Sequence, residues 1–143
     1  MMDDVVLNKA ATIERCVKRA REEYAIDPTT FAHSLTRQDS AILNIQRACE
    51  AVLDLGQHLI RRERLGLPQS AHDVFERLAQ SAWITPARAD TLKRMVGFRN
   101  IAFHDYQALQ LPIVVAIITE HLDASLQYTR AILLRDQSPD EPA

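Results

Sequence analysis

Glycine is scarce in this chain, three residues in 143. That argues against a loop-rich β-fold and against a Gly-rich loop that cradles phosphate. Cysteine is scarce too. Cys16 and Cys49 stand far apart, in no C-x-x-C or Cys/His metal spacing, and read as small buried apolar residues of a reducing compartment. The start, Met-Met-Asp-Asp, has no basic region leading into an apolar stretch, so no signal peptide is expected. The longest apolar run, Ile113 to Ile118, is too short to span a bilayer. A cytoplasmic protein without membrane contact is the expectation. No charge of one sign dominates. The net charge is −2, so the chain exerts no global pull on nucleic acid, and any RNA binding must come from a local patch. Internal repeats are missing, and the only biased segment is a short polar tail.

What remains is ordinary for a globular protein: 47% hydrophobic and 25% charged residues, enough to build one domain around a real core. The apolar residues recur at helical intervals. Val6, Ala10, Ile13, Val17, Ala20 and Tyr24 predict a first helix from Asp3 to Tyr24, ended by Asp27-Pro28. Ile42, Ile45, Cys49, Val52, Leu53, Gly56, Leu59 and Ile60 mark a long second helix. Thr29, Thr30 or Thr36 is the expected cap at its start. Arg61, Arg62 and Arg64 complement its negative end, and Gly66 supplies a left-handed cap. Ser70 is the N-cap of a short third helix whose inner face runs from Val74 to Trp83. Thr85-Pro86 opens a fourth with Leu92, Met95, Val96 and Ala102 inside. Leu111-Pro112 opens a fifth that continues through Leu133. The fold expected is all-α, an antiparallel up-and-down bundle of about five helices. Residues 1–136 form the domain and 137–143 a flexible tail. Helices two, four and five look apolar on more than one face. A bundle needs one stripe per helix, so the surplus predicts a homodimer.

The chemistry concentrates in Arg99-Asn-Ile-Ala-Phe-His104-Asp-Tyr106. A guanidinium can hold a phosphate by two parallel N–H···O bonds, and an imidazole can exchange a proton at cellular pH. Together they suit phosphodiester cleavage without a metal. RNA brings its own nucleophile, the 2′-hydroxyl. Cleavage needs that hydroxyl deprotonated, the phosphorane charge stabilised and the leaving 5′-oxygen protonated. Arg99 suits the second task. His104 suits the first or the third, and one histidine cannot easily do both in a single step. Two facing protomers would supply two histidines. Asn100 would orient His104 or hold the phosphate. By spacing alone, an Arg-His pair on a helix is more often a solvated face or a salt-bridge partner, and Tyr106 more often a half-buried aromatic with a wet hydroxyl. Asn44, Arg47 and Gln57 are polar residues among apolar ones, more often a solvated helix face than a cleft wall. His33, His58, His72 and His121 lack the i, i+4 spacing of a helical metal pair, so no metal and no cofactor are expected.

The stretch Gly97-Phe-Arg-Asn-Ile-Ala-Phe-His-Asp-Tyr106 resembles the signature of the HepT-like toxins of the HEPN ribonuclease superfamily: Arg, a polar residue, three more residues, His, any residue, Tyr. The block from Arg37 to Leu55 resembles the second-helix signature of that family. Leu65-Gly-Leu-Pro-Gln-Ser70 and Met95-Val96 match as well. The likeness covers about residues 3 to 135. It implies an α-helical homodimer with a composite cleft, acting as an endoribonuclease toxin, with Arg99, Asn100 and His104 as the catalytic set. It implies a partner, an MntA-like nucleotidyltransferase antitoxin that silences the toxin by transferring AMP to Tyr106. A second reading stays open: a docking subunit and AMP acceptor for the nucleotidyltransferase, without catalysis of its own. The near-neutral charge favours that one.

Overall fold

The computed structural model describes residues 3–104 and 111–137, the side chains of 99–104 excepted. Helix α1 spans Asp4–Ala25, α2 Leu35–Arg62, α3 Ala71–Gln80 and α4 Pro86–His104. Helix α5, Leu111–Ala116, runs through a π-helical turn, Ile117–His121, into α6, Leu122–Gln137. The described residues contain no strand. The bundle of about five helical rods predicted from periodicity is what forms. Of the tail expected at 137–143, Gln137 instead belongs to α6, and 138–143 lie outside the described residues.

The helix starts follow from their capping chemistry. The Asp3 carboxylate accepts from the amides of Val5 (2.9 Å) and Val6 (3.3 Å), satisfying two of the donors a helix leaves open. Ser70 accepts from the Asp73 amide at 3.1 Å, and Thr85 from the Arg88 amide at 3.1 Å, as expected. The cap of α2 is none of the three threonines. Ser34 fills the role, accepting from the Arg37 amide at 3.3 Å. Thr29 is engaged by Asp27, which accepts from its amide and hydroxyl. Phe31 then drives the chain inward. Its 3₁₀ turn, Phe31–His33, buries the ring edge-on against Tyr24, with centroids 5.3 Å apart. Helix α2 restarts only after that burial.

The helix ends also differ from expectation. Gly66 does not close α2. Arg64 takes the left-handed conformation, φ 55°, and the Leu65 amide reaches back to the Ile60 carbonyl at 2.9 Å. Helix α3 ends the same way, with Ala82 at φ 60° and the Trp83 amide on the Leu78 carbonyl at 2.9 Å. Both ends follow the Schellman pattern, with an apolar residue after the left-handed one packing on the core. That packing decides the choice, since Leu65 and Trp83 reach the core only if the turn falls at 64 and 82. Gly66 is needed for its own backbone, since φ 101° strains any residue with a Cβ; the Arg77 guanidinium beside it donates to the Leu65 carbonyl.

Helix α2 lies at the centre and packs against α1, α3, α4 and α6, most extensively along α1. This accounts for its several apolar faces. Ala41, Ile45, Leu55 and Leu59 are fully buried inside one protomer, so the surplus on α2 does not by itself call for a second copy. The loop between α1 and α2 is held by Arg37. It donates to the carbonyls of Glu23 (3.0 Å) and Asp27 (2.7 Å) and to the Thr30 hydroxyl (3.0 Å), and its guanidinium lies over the Phe31 ring. At the other end Arg62 joins three helices. It bonds Asp3 (2.9 Å) and Asp136 (2.8 Å) and lies over the Trp83 ring. The guanidiniums at the end of α2 were expected to serve only the helix dipole, and Arg62 also ties the two ends of the chain together.

Candidate functional site

Helix α4 carries the Arg99 segment, and its inner face fixes the orientation of that segment. Ala89, Leu92, Met95 and Val96 are buried against the core, and the Cys49 thiol of α2 donates to the Met95 carbonyl at 3.4 Å. On a helix of 100° per residue, position 99 falls seven residues after Leu92 and three after Val96. Position 99 therefore falls where the buried stripe would continue. Position 104 lies about 140° around the axis and about 7.5 Å further along it. Asn100 and His104 share one line, with Gly97 on that line a further turn back. Helix α4 is described as far as His104. Tyr106 lies outside the described residues, so the line expected to join it to Arg99 on one continuous helix is not described.

Gly97 stands out in this frame. It is half-buried, in the interior of α4 at negative φ, where glycine costs about 0.5–1 kcal/mol relative to alanine. Among the described residues, a Cβ built there would meet nothing within 4 Å. Gly56 of α2 is the opposite case. A Cβ there would come 2.7 Å from Val74 Cγ1 and 3.0 Å from the Tyr128 hydroxyl, so packing requires the glycine.

Gly97 opens onto a cavity of about 480 Å³ between α4 and the π turn. Met95, Phe98, Ile113 and Ile117 line its apolar interior, and Arg94 and His121 stand with them. The π turn adds a residue to the helical register, which rotates everything after it, and such turns recur at functional sites. The sequence reading singled out neither Arg94 nor this cavity. A glycine in mid-helix was the available signal.

Asn44 and Arg47 face elsewhere. They line a polar groove of about 520 Å³ between α1 and α2, with Lys9, Arg15 and Arg19 across from them. Arg47 lies about 160° around α2 from Cys49, which touches α4, so this groove and the Arg99 segment occupy different sides of α2. The Asn44 amide donates to the Ser40 carbonyl at 2.8 Å, an ordinary contact within the helix. Gln57 is exposed. His58 donates to the Asp3 carboxylate at 2.7 Å and belongs to the terminal tie. Among the described residues, no three His, Cys, Asp or Glu side chains group as a metal site would require, and no helix is long and apolar enough to cross a membrane.

The sequence model described as ribonuclease HepT-like matches residues 13–132. The chain belongs to the HepT-like ribonuclease family. An mRNA nuclease HepT from Shewanella oneidensis is 49% identical over 131 residues, 92% of this chain and 98% of that protein. A solved tri-AMPylated HEPN toxin of the same organism, in complex with an MNT antitoxin, superposes with a TM-score of 0.88 at 48% identity, covering 93% of this chain and 99% of its own. A toxin–antitoxin complex with AMP-PNP gives 0.88 at 47% identity, over 92% and 99%. As a HepT-like protein the chain keeps the whole Arg99–Tyr106 series, and positions 99, 100 and 104 lie on α4.

Proposed function

We propose that this HepT-like protein is the toxin of a toxin–antitoxin pair, a cytoplasmic endoribonuclease that cuts RNA without a metal. The observation that carries the reading is the intact Arg99, Asn100, His104, Tyr106 series in a chain 49% identical to a named mRNA nuclease. Two protomers pool their Arg99 and His104 groups in one cleft. One histidine takes the proton from the RNA 2′-hydroxyl, whose oxygen attacks phosphorus. Arg99 holds the charge that builds on the non-bridging oxygens. The second histidine protonates the departing 5′-oxygen, leaving a 2′,3′-cyclic phosphate and a 5′-hydroxyl. Asn100 orients His104 or holds the phosphate.

An MntA-like nucleotidyltransferase antitoxin silences the protein by transferring AMP to Tyr106. Each AMP adds a phosphodiester anion and a base close to the cleft, occupying the place of the substrate phosphate. The direct test is RNA cleavage in excess EDTA by wild type and His104→Ala. Activity in the first and loss in the second are expected. Equal activity, or none in protein verified by mass to be unmodified, refutes the assignment.

The net charge of −2 favours one other reading, a docking subunit and AMP acceptor without catalysis. Co-expression with an MntA-like nucleotidyltransferase, followed by intact-mass measurement, separates the two. AMP increments on Tyr106 with no cleavage after phosphodiesterase treatment would favour the acceptor.

A further inference from the structure

We propose that the cavity between α4 and the π turn seats a nucleobase of the RNA substrate, beside the phosphate held at the Arg99 segment. The inference rests on the ribonuclease reading and adds a specificity pocket to it. At about 480 Å³ the cavity is of the size that takes a small ligand. Its interior is apolar, with the buried Phe98 ring and the side chains of Met95 and Ile117, which suits the faces of a heterocycle. Arg94 is exposed and makes no hydrogen bond or ion pair among the described residues, so its guanidinium is free to stack on a base or donate to its edge. Single-stranded RNA is read in this manner, by bases splayed onto aromatic rings and guanidinium planes.

The position of the cavity ties it to the cleavage site. Gly97 forms part of its wall and lies seven residues before His104, on the same line of α4 and about 10.5 Å from it along the axis. A base in the cavity and a phosphate at the motif are thus served by one helix. Among the described residues, nothing packs where a Cβ at Gly97 would stand. What the glycine provides is room for a ligand to approach the helix backbone. The other candidate occupant, a side chain from a second copy, makes a different prediction for the same substitution.

The test uses the full-length protein and a short 2′-O-methyl oligoribonucleotide, which lacks the nucleophile and is not cut. Irradiating protein methyl resonances in a saturation-transfer NMR experiment is expected to transfer magnetisation to the base protons. Gly97→Leu fills the cavity and Arg94→Ala removes its cation, so both are expected to reduce that transfer. For cleavable RNA each is expected to raise KM by about tenfold, the loss of one stacked base, and to alter the choice of cleavage position. Arg94→Ala changes an exposed residue and keeps the test alive if Gly97→Leu fails to fold. Absent transfer in wild type overturns the inference. So do unchanged transfer and KM in both variants. If Gly97→Leu instead changes the oligomeric mass, a second copy covers the cavity and the inference falls. The binding arm needs no turnover: a protein that binds bases here but cuts no RNA refutes the ribonuclease reading and leaves the base site standing.

Discussion

The same substitution at two glycines should act in opposite directions. Gly97→Ala places a methyl group on α4 where nothing among the described residues lies within 4 Å. It removes backbone freedom from the unfolded chain and restores helix propensity, for a gain of about 0.5–1 kcal/mol. In a protein of this size that raises Tm by about 2–4 °C. Gly56→Ala brings the same propensity gain and loses it to packing. Its methyl would lie 2.7 Å from Val74 Cγ1, 3.0 Å from the Tyr128 hydroxyl and 3.2 Å from Leu78 Cδ1. Val74 is β-branched and stiff, and the Tyr128 hydroxyl is held by donating to the Val52 carbonyl at 2.9 Å, so neither yields cheaply. Overpacking costs about 1–3 kcal/mol, leaving a net destabilisation of up to about 2 kcal/mol. Urea melts followed by far-UV circular dichroism, at one fixed protomer concentration, read both values. Two shifts of the same sign would refute the reasoning, because they would mean that the local space around each glycine does not decide its effect.

Two further outcomes follow from the ends of the chain's helices. Ala82→Gly and Arg64→Gly should each stabilise by about 0.5–1 kcal/mol in the same melts, since φ values of 60° and 55° suit glycine better than any residue with a Cβ. Asp3 is desolvated by burial, which acts to raise its pKa. The bonds from His58 and Arg62 outweigh this and hold its carboxyl well below the usual carboxylate range. A carboxylate depressed in the folded state contributes stability that is present above its unfolded pKa and lost as pH falls toward the folded value. Wild type should therefore lose stability on acidification below about pH 4, and Asp3→Asn should be less stable at neutral pH with a flatter acid limb. Parallel acid limbs in stability-versus-pH curves of the two proteins would contradict that.

The helices were legible because their apolar residues keep a helical period and because Ser70 and Thr85-Pro86 carry capping chemistry in their side chains. The start of α2 was not, since three threonines and one serine are equivalent caps on paper. Only the burial of Phe31 selects Ser34. Gly66 looked the better left-handed residue than Arg64 for a similar reason, as backbone preference is local and the docking of Leu65 is not. The run Ile113 to Ile118 is apolar on any period, so it conceals a register change such as the π turn. For the candidate site, the residue types of the motif could be read directly. That Arg99 continues the buried stripe of α4, while Asn100 and His104 share a line with Gly97, needed the helix to be oriented against α2. The surplus of apolar faces on helices two, four and five suggested a dimer; on α2 it reflects that helix's central place in the bundle, and the homodimer rests further on the needs of the chemistry and on family membership.

Subunit mixing tests the composite cleft most directly. Wild-type protein is unfolded and refolded with increasing proportions of His104→Ala at constant total protomer, and RNA cleavage is measured in excess EDTA. If one cleft needs a histidine from each protomer, a mixed dimer is inactive and the rate falls with the square of the wild-type fraction, which is the predicted result. A rate that falls in direct proportion to that fraction would mean each protomer cuts RNA by itself, and would contradict the account.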